Sequence, residues 1–173
     1  MARTFQRTDG DIAAVLRTMF DSPALFAGSP RKFKDPTQFL VSAMKLAYDG
    51  QPITDARPLL NWLNQMGEPV FGRITPDGWP LDSASWSGSG QMATRFAVAG
   101  AIGSGRNRLF MDDSGSASAR PAQRPPVPAM DSALYRAAIE PYLSEATRSA
   151  LAKARSAQEW NTYLLSSPDF NYR

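Results

Sequence analysis

The chain has 173 residues, 43% of them apolar, with nine Phe, five Tyr and four Trp, enough for a packed core without covalent staples. Histidine and cysteine are both absent, which excludes imidazole acid–base chemistry, thiolate nucleophiles, disulfides and the usual zinc ligands. Nineteen basic residues against sixteen acidic ones leave only +3, and the densest cationic groups, Arg31-Lys32-Lys34 and Arg106-Arg108, are short, so nucleic acid is a disfavoured partner.

Residues 1–11 are polar and lack a signal-peptide core, so the chain is not expected to be exported on a signal of its own. Asp9 or Asp11 then caps a helix whose apolar face is Ile12, Val15, Leu16 and Met19. Ser22-Pro23 stops it, because the residue before proline disfavours the α region. Asp35-Pro36-Thr37-Gln38 reads as cap, N1 proline and capping-box partner for a helix that turns Phe39, Leu40, Ala43, Met44 and Ala47 inward and ends at Gly50. A third helix starts near Asp55, carries Leu59, Leu60, Leu63 and Met66, and ends on Gly67 in the left-handed position.

From Glu68 to Trp86 the periodicity breaks, with Pro69, Gly72, Pro76, Gly78 and Pro80 in the stretch. Val70, Phe71, Ile74, Trp79, Leu81 and Trp86 are expected to pack, which makes this a long ordered loop. A helix over roughly 91–102 places Met92, Phe96, Ala99 and Gly103 on one side, and Ala97, Ala99, Gly100 and Ala101 would admit a close helical neighbour. No apolar run reaches transmembrane length, the longest lying around Phe96 to Ile102.

Residues 112–129 are Asp, Ser, Gly, Ala, Arg, Gln and Pro, with Val127 the one large apolar side chain, and read as a flexible or disordered internal segment. Helices follow at 133–139, 145–155 and 157–166, the last behind the capping box Ser156-Ala157-Gln158-Glu159. Met19–Leu25 and Leu164–Phe170 echo each other: a helix end, Ser-Pro, one residue, then a large apolar anchor. A shared helix-stop device explains this better than a functional repeat. The fold class is mainly α: one helical domain over 1–173, an irregular bundle of six or seven helices with a long ordered aromatic loop.

The motifs that carry chemistry are weak. Gly88-Ser89-Gly90-Gln91-Met92-Ala93 has the dinucleotide-loop spacing, with Asp112 and Asp113 downstream, but residues 80–86 do not read as the buried strand that motif needs. Helix entry is the better account, and no cofactor is expected. Ser42-Ala43-Met44-Lys45 and Ser29-Pro30-Arg31-Lys32 match the serine–lysine nucleophile spacing, yet the companion motifs are absent and Lys45 reads as a solvent-facing residue. No metal-ligand spacing occurs; Asp112-Asp113-Ser114-Gly115 lacks that of a calcium loop. Acids and aromatics converge at one place, where Asp77 and Asp82 flank Trp79 near Trp86. Such a loop suits sugar binding, or glycoside hydrolysis by paired carboxylates, but a structural lid pinned by tryptophans is favoured, with Asp77-Gly78 as turn chemistry.

A series of phrases extends over most of the chain. It comprises Asp11–Leu16 through Ser22-Pro23, Lys34-Asp35-Pro36, Leu63–Phe71, Thr75–Pro80 with Trp86 and Arg95, and Trp160 to the terminal Leu165-Ser166-Ser167-Pro168-Asp169-Phe170-Asn171-Tyr172-Arg173. In order and spacing it resembles the C-terminal part of a large bacterial family, domain-of-unknown-function family 1800. The resemblance implies a C-terminal portion of a longer polypeptide, whose parent is exported in some members. It carries over no catalytic residue and no cofactor. The Gly78-Trp79-Pro80 loop is the family feature with the most functional potential.

The leading expectation is a non-enzymatic structural or interaction module completing a larger protein, its partner another protein or the missing N-terminal portion. The alternative is polysaccharide or cell-wall binding or hydrolysis, with Asp77, Trp79, Asp82, Trp86 and Arg95 as the ligand-binding set. A third reading has Arg31, Lys32 and Lys34 meet an anionic surface.

Overall fold

The computed structural model describes residues 1–26, 32–110 and 127–172. Among them the fold is mainly α, with ten α-helices and no strand beyond one isolated bridge between Phe33 and Tyr172. The helices expected from the sequence are present, and the larger count comes from short ones. The chain divides into two compact units, Met1–Arg31 and Lys32–Arg173.

In the first unit α1 (Ala2–Arg7) and α2 (Ile12–Phe20) pack together, with Thr4 Oγ1 3.2 Å from Thr18 Oγ1. α1 has no apolar face in sequence and was not foreseen. Asp11 is the cap of α2: its carboxylate accepts from the N–H groups of Ala13 and Ala14 at 2.9 and 3.2 Å. Pro23 ends α2 as expected and opens α3 (Pro23–Phe26), its fixed φ suiting a first helical position. The apolar face of α2 exists, but no residue of α2 is buried.

The second unit holds the core. α4 (Pro36–Tyr48) starts where Asp35 Oδ1 accepts from Gln38 N–H at 2.7 Å and buries the expected Phe39, Leu40, Ala43, Met44 and Ala47. α5 (Arg57–Gln65) begins behind Asp55, which accepts from Arg57 N–H at 2.9 Å, and ends before Gly67 at φ +85°. Leu63 and Met66 are buried as expected, whereas Leu60 is half exposed.

α6 (Ser89–Gly103) corrects two expectations. Its buried side is Arg95, Val98, Ala99, Ile102 and Gly103, while Phe96 is exposed. The helix is rotated by about one residue from the expected face, because Arg95 finds aromatic faces and acceptors inside. α6 packs most extensively on α9 (Ala157–Ser166), and Gly103 lies tight against it: a Cβ there would lie 3.0 Å from Thr162 Oγ1 and 3.1 Å from Asn161 Cβ. Asn161, buried, donates to the carbonyls of Gly103 and Pro128 at 3.1 and 2.7 Å.

α7 (Ala133–Ala138), a 3₁₀ turn (Glu140–Tyr142) and α8 (Glu145–Ala152) cover this pair, with Tyr135 edge-on to Trp160. Ser156 caps α9 by accepting from Glu159 N–H at 3.1 Å. The chain closes on α10 (Pro168–Asn171), again a Ser-Pro stop that restarts a helix, so the echo of residues 19–25 is a capping device at both sites. Of the segment 112–129, residues 112–126 lie outside the described residues, and Pro128 is buried.

Candidate functional site

The aromatic loop runs without regular structure from the end of α5 to the start of α6. Trp86 is its anchor, 4% exposed, with Nε1–H donating to Pro80 O at 2.8 Å. Trp79 is half-buried and lies 6.1 Å from Trp86, the rings tilted by 57°. The Arg73 guanidinium sits 5.7 Å above Trp79 while Nη2 pairs with Asp77 Oδ2 at 2.9 Å. The Thr75 hydroxyl closes the turn onto Asp77 Oδ1. Asp82 serves a separate turn, accepting from Ser85 N–H at 2.8 Å and Ser85 Oγ at 2.9 Å.

These bonds set the electrostatics. The Thr75 hydroxyl and then Arg73 hold the Asp77 carboxyl below its ordinary range, and Ser85, through its N–H and then its hydroxyl, does the same for Asp82. Both stay ionised at neutral pH as hydrogen-bond acceptors, whereas a glycosidic general acid requires a carboxyl held protonated by a raised pKa. One expectation about the loop is corrected. Val70, Phe71, Ile74 and Leu81 do not pack: Phe71 and Ile74 are 101% and 97% exposed. Two tryptophans and the hydrogen bonds to Pro80, Asp77 and Asp82 order the loop, leaving these side chains on its outer edge.

Arg95 belongs to a different constellation. It is 1% exposed; Nη2 donates to Lys34 O at 2.7 Å and Nη1 to Asn171 Oδ1 at 3.2 Å. Its guanidinium lies 4.7 Å from the Phe33 ring centre and 5.1 Å from that of Phe39. Burial lowers its pKa to about 10, opposed by the negative charges of Asp35 and Glu68, so it remains a cation at neutral pH. Glu68 is also buried, accepts from Thr37 N–H at 2.8 Å, and has its pKa pushed up by desolvation. Arg95 Nε and Gln38 Oε1 are buried without hydrogen-bond partners among the described residues.

The five residues grouped by sequence thus separate. Trp79 and Trp86 meet and Asp77 joins them through Arg73, Asp82 caps its own turn, and Arg95 locks remote segments together. Sequence reasoning missed Phe33, Glu68 and Asn171, which complete the Arg95 cluster. The one sequence cue was a lone cation amid the small residues of α6. The Gly88–Ala93 motif forms the N-terminal turn of α6, with Gly88 as its cap and turns before it. Ser42 and Lys45 lie on α4, with Lys45 exposed. Lys34 places its Nζ 4.0 Å from the Phe170 ring centre, and Arg31 falls outside the described residues.

Among the described residues, no acidic cluster is placed to hold a metal ion, and no helix is long and apolar enough to cross a membrane. No match is found among curated proteins or among solved structures. A family model, described as protein of unknown function (DUF1800), matches residues 1–172, as the resemblance implied. The chain belongs to that family.

Proposed function

We propose that this chain is a non-enzymatic helical module whose work is to bind another protein surface and complete a larger assembly. The observation that carries this reading is α2. It is properly capped, with a continuous apolar face, yet Ile12 is 70% exposed, Leu16 44% and Phe20 58%, and Phe5 of α1 joins them at 55%. Exposed apolar faces of this extent mark interaction sites. The ionised, turn-forming roles of Asp77 and Asp82 favour the same reading over hydrolysis at the aromatic loop.

The test places a photo-crosslinking amino acid at position 16 or 20 in producing cells and maps the crosslinked peptide by mass spectrometry. The expected result is one defined partner surface, whose purified protein binds the wild-type chain and fails to bind Leu16→Glu. Polysaccharide turnover by the wild-type chain, lost in Asp77→Asn or Asp82→Asn, would overturn the proposal in favour of chemistry at the loop.

A further inference from the structure

We draw no further inference here: the strongest candidate, the apolar surface patch at the Pro69–Gly72 turn, where Phe71 stands at φ +56° with its ring fully exposed, carries nothing, because nothing in the structure shows what covers it.

Discussion

Arg95 donates from Nη1 to Asn171 Oδ1 across 3.2 Å, joining residues 76 positions apart. Through Nη2 the same guanidinium holds the carbonyl of Lys34 at 2.7 Å, and Lys34 N–H donates to Asn171 O at 2.8 Å. One cation therefore ties α6 to the segment before α4 and to the chain's last helix. Removing the side chain leaves Asn171 and the carbonyl without their donor, and the buried Glu68 and half-buried Asp35 without their counter-charge. Arg95→Ala is expected to cost about 3–5 kcal/mol in urea unfolding, and Arg95→Met less, because it refills the volume. In a double-mutant cycle Arg95 and Asn171 should couple by about 1.5–3 kcal/mol, the range for hydrogen bonds to charged groups. Additive effects would show that this bond contributes nothing of its own.

That hub also shows where sequence reading stops. The caps of α2, α4 and α9 were legible because Asp11, Asp35 and Ser156 act on N–H groups two or three residues away. The inward face of α4 followed from its spacing. Arg95 was not legible as core: helical periodicity treats a cation as solvent-facing, and only Phe33, Phe39, Lys34 and Asn171, all remote in sequence, make its burial tolerable. Phe96 was misplaced for the same reason, since the two residues compete for one side of α6. Of the five residues grouped from sequence, Trp79 and Trp86 meet and Asp77 joins them through Arg73, while Asp82 caps its own turn and Arg95 lies in another cluster. Phe71 was expected to pack because apolar content was read without turn geometry.

Glu68 gives a pH dependence of definite sign. Its folded pKa is raised above the ordinary 4.5 by desolvation, so the folded state holds this proton more tightly than the unfolded chain. Its contribution to stability is therefore fully present below about pH 4.5 and is lost as pH rises through the folded value. Going from pH 7 to pH 4.5, roughly that window, wild type should gain stability relative to Glu68→Gln, which cannot titrate. Parallel stability-versus-pH curves for the two proteins would refute the assignment.

The turn at Pro69–Gly72 predicts a stabilising substitution. A left-handed conformation costs an L-residue about 1–2 kcal/mol, part of which Phe71→Gly returns to the greater freedom of glycine in the unfolded chain. With the ring fully exposed, no packing is lost. Phe71→Gly should raise stability by about 0.5–1 kcal/mol, or about 1–4 °C in Tm for a chain of this size. A decrease would mean that the ring makes a stabilising contact within the folded monomer.

Gly103 carries the reverse expectation. Its missing Cβ is what lets α6 approach α9, with Thr162 N only 3.1 Å from where that atom would stand. That neighbour is backbone, so it cannot rotate away as a flexible side chain would. It directly follows Asn161, whose side-chain amide donates to the Gly103 carbonyl and fixes the register of the two helices. Gly103→Val must either push α9 outward or distort the end of α6, and overpacking of this kind costs about 1–3 kcal/mol. Because Asn161 also holds the Pro128 carbonyl at 2.7 Å, the displacement should spread to residues 127–130. Hydrogen exchange should therefore report faster protection loss at Met130 and in α9 than in α4. Uniform loss across all three would place the strain elsewhere.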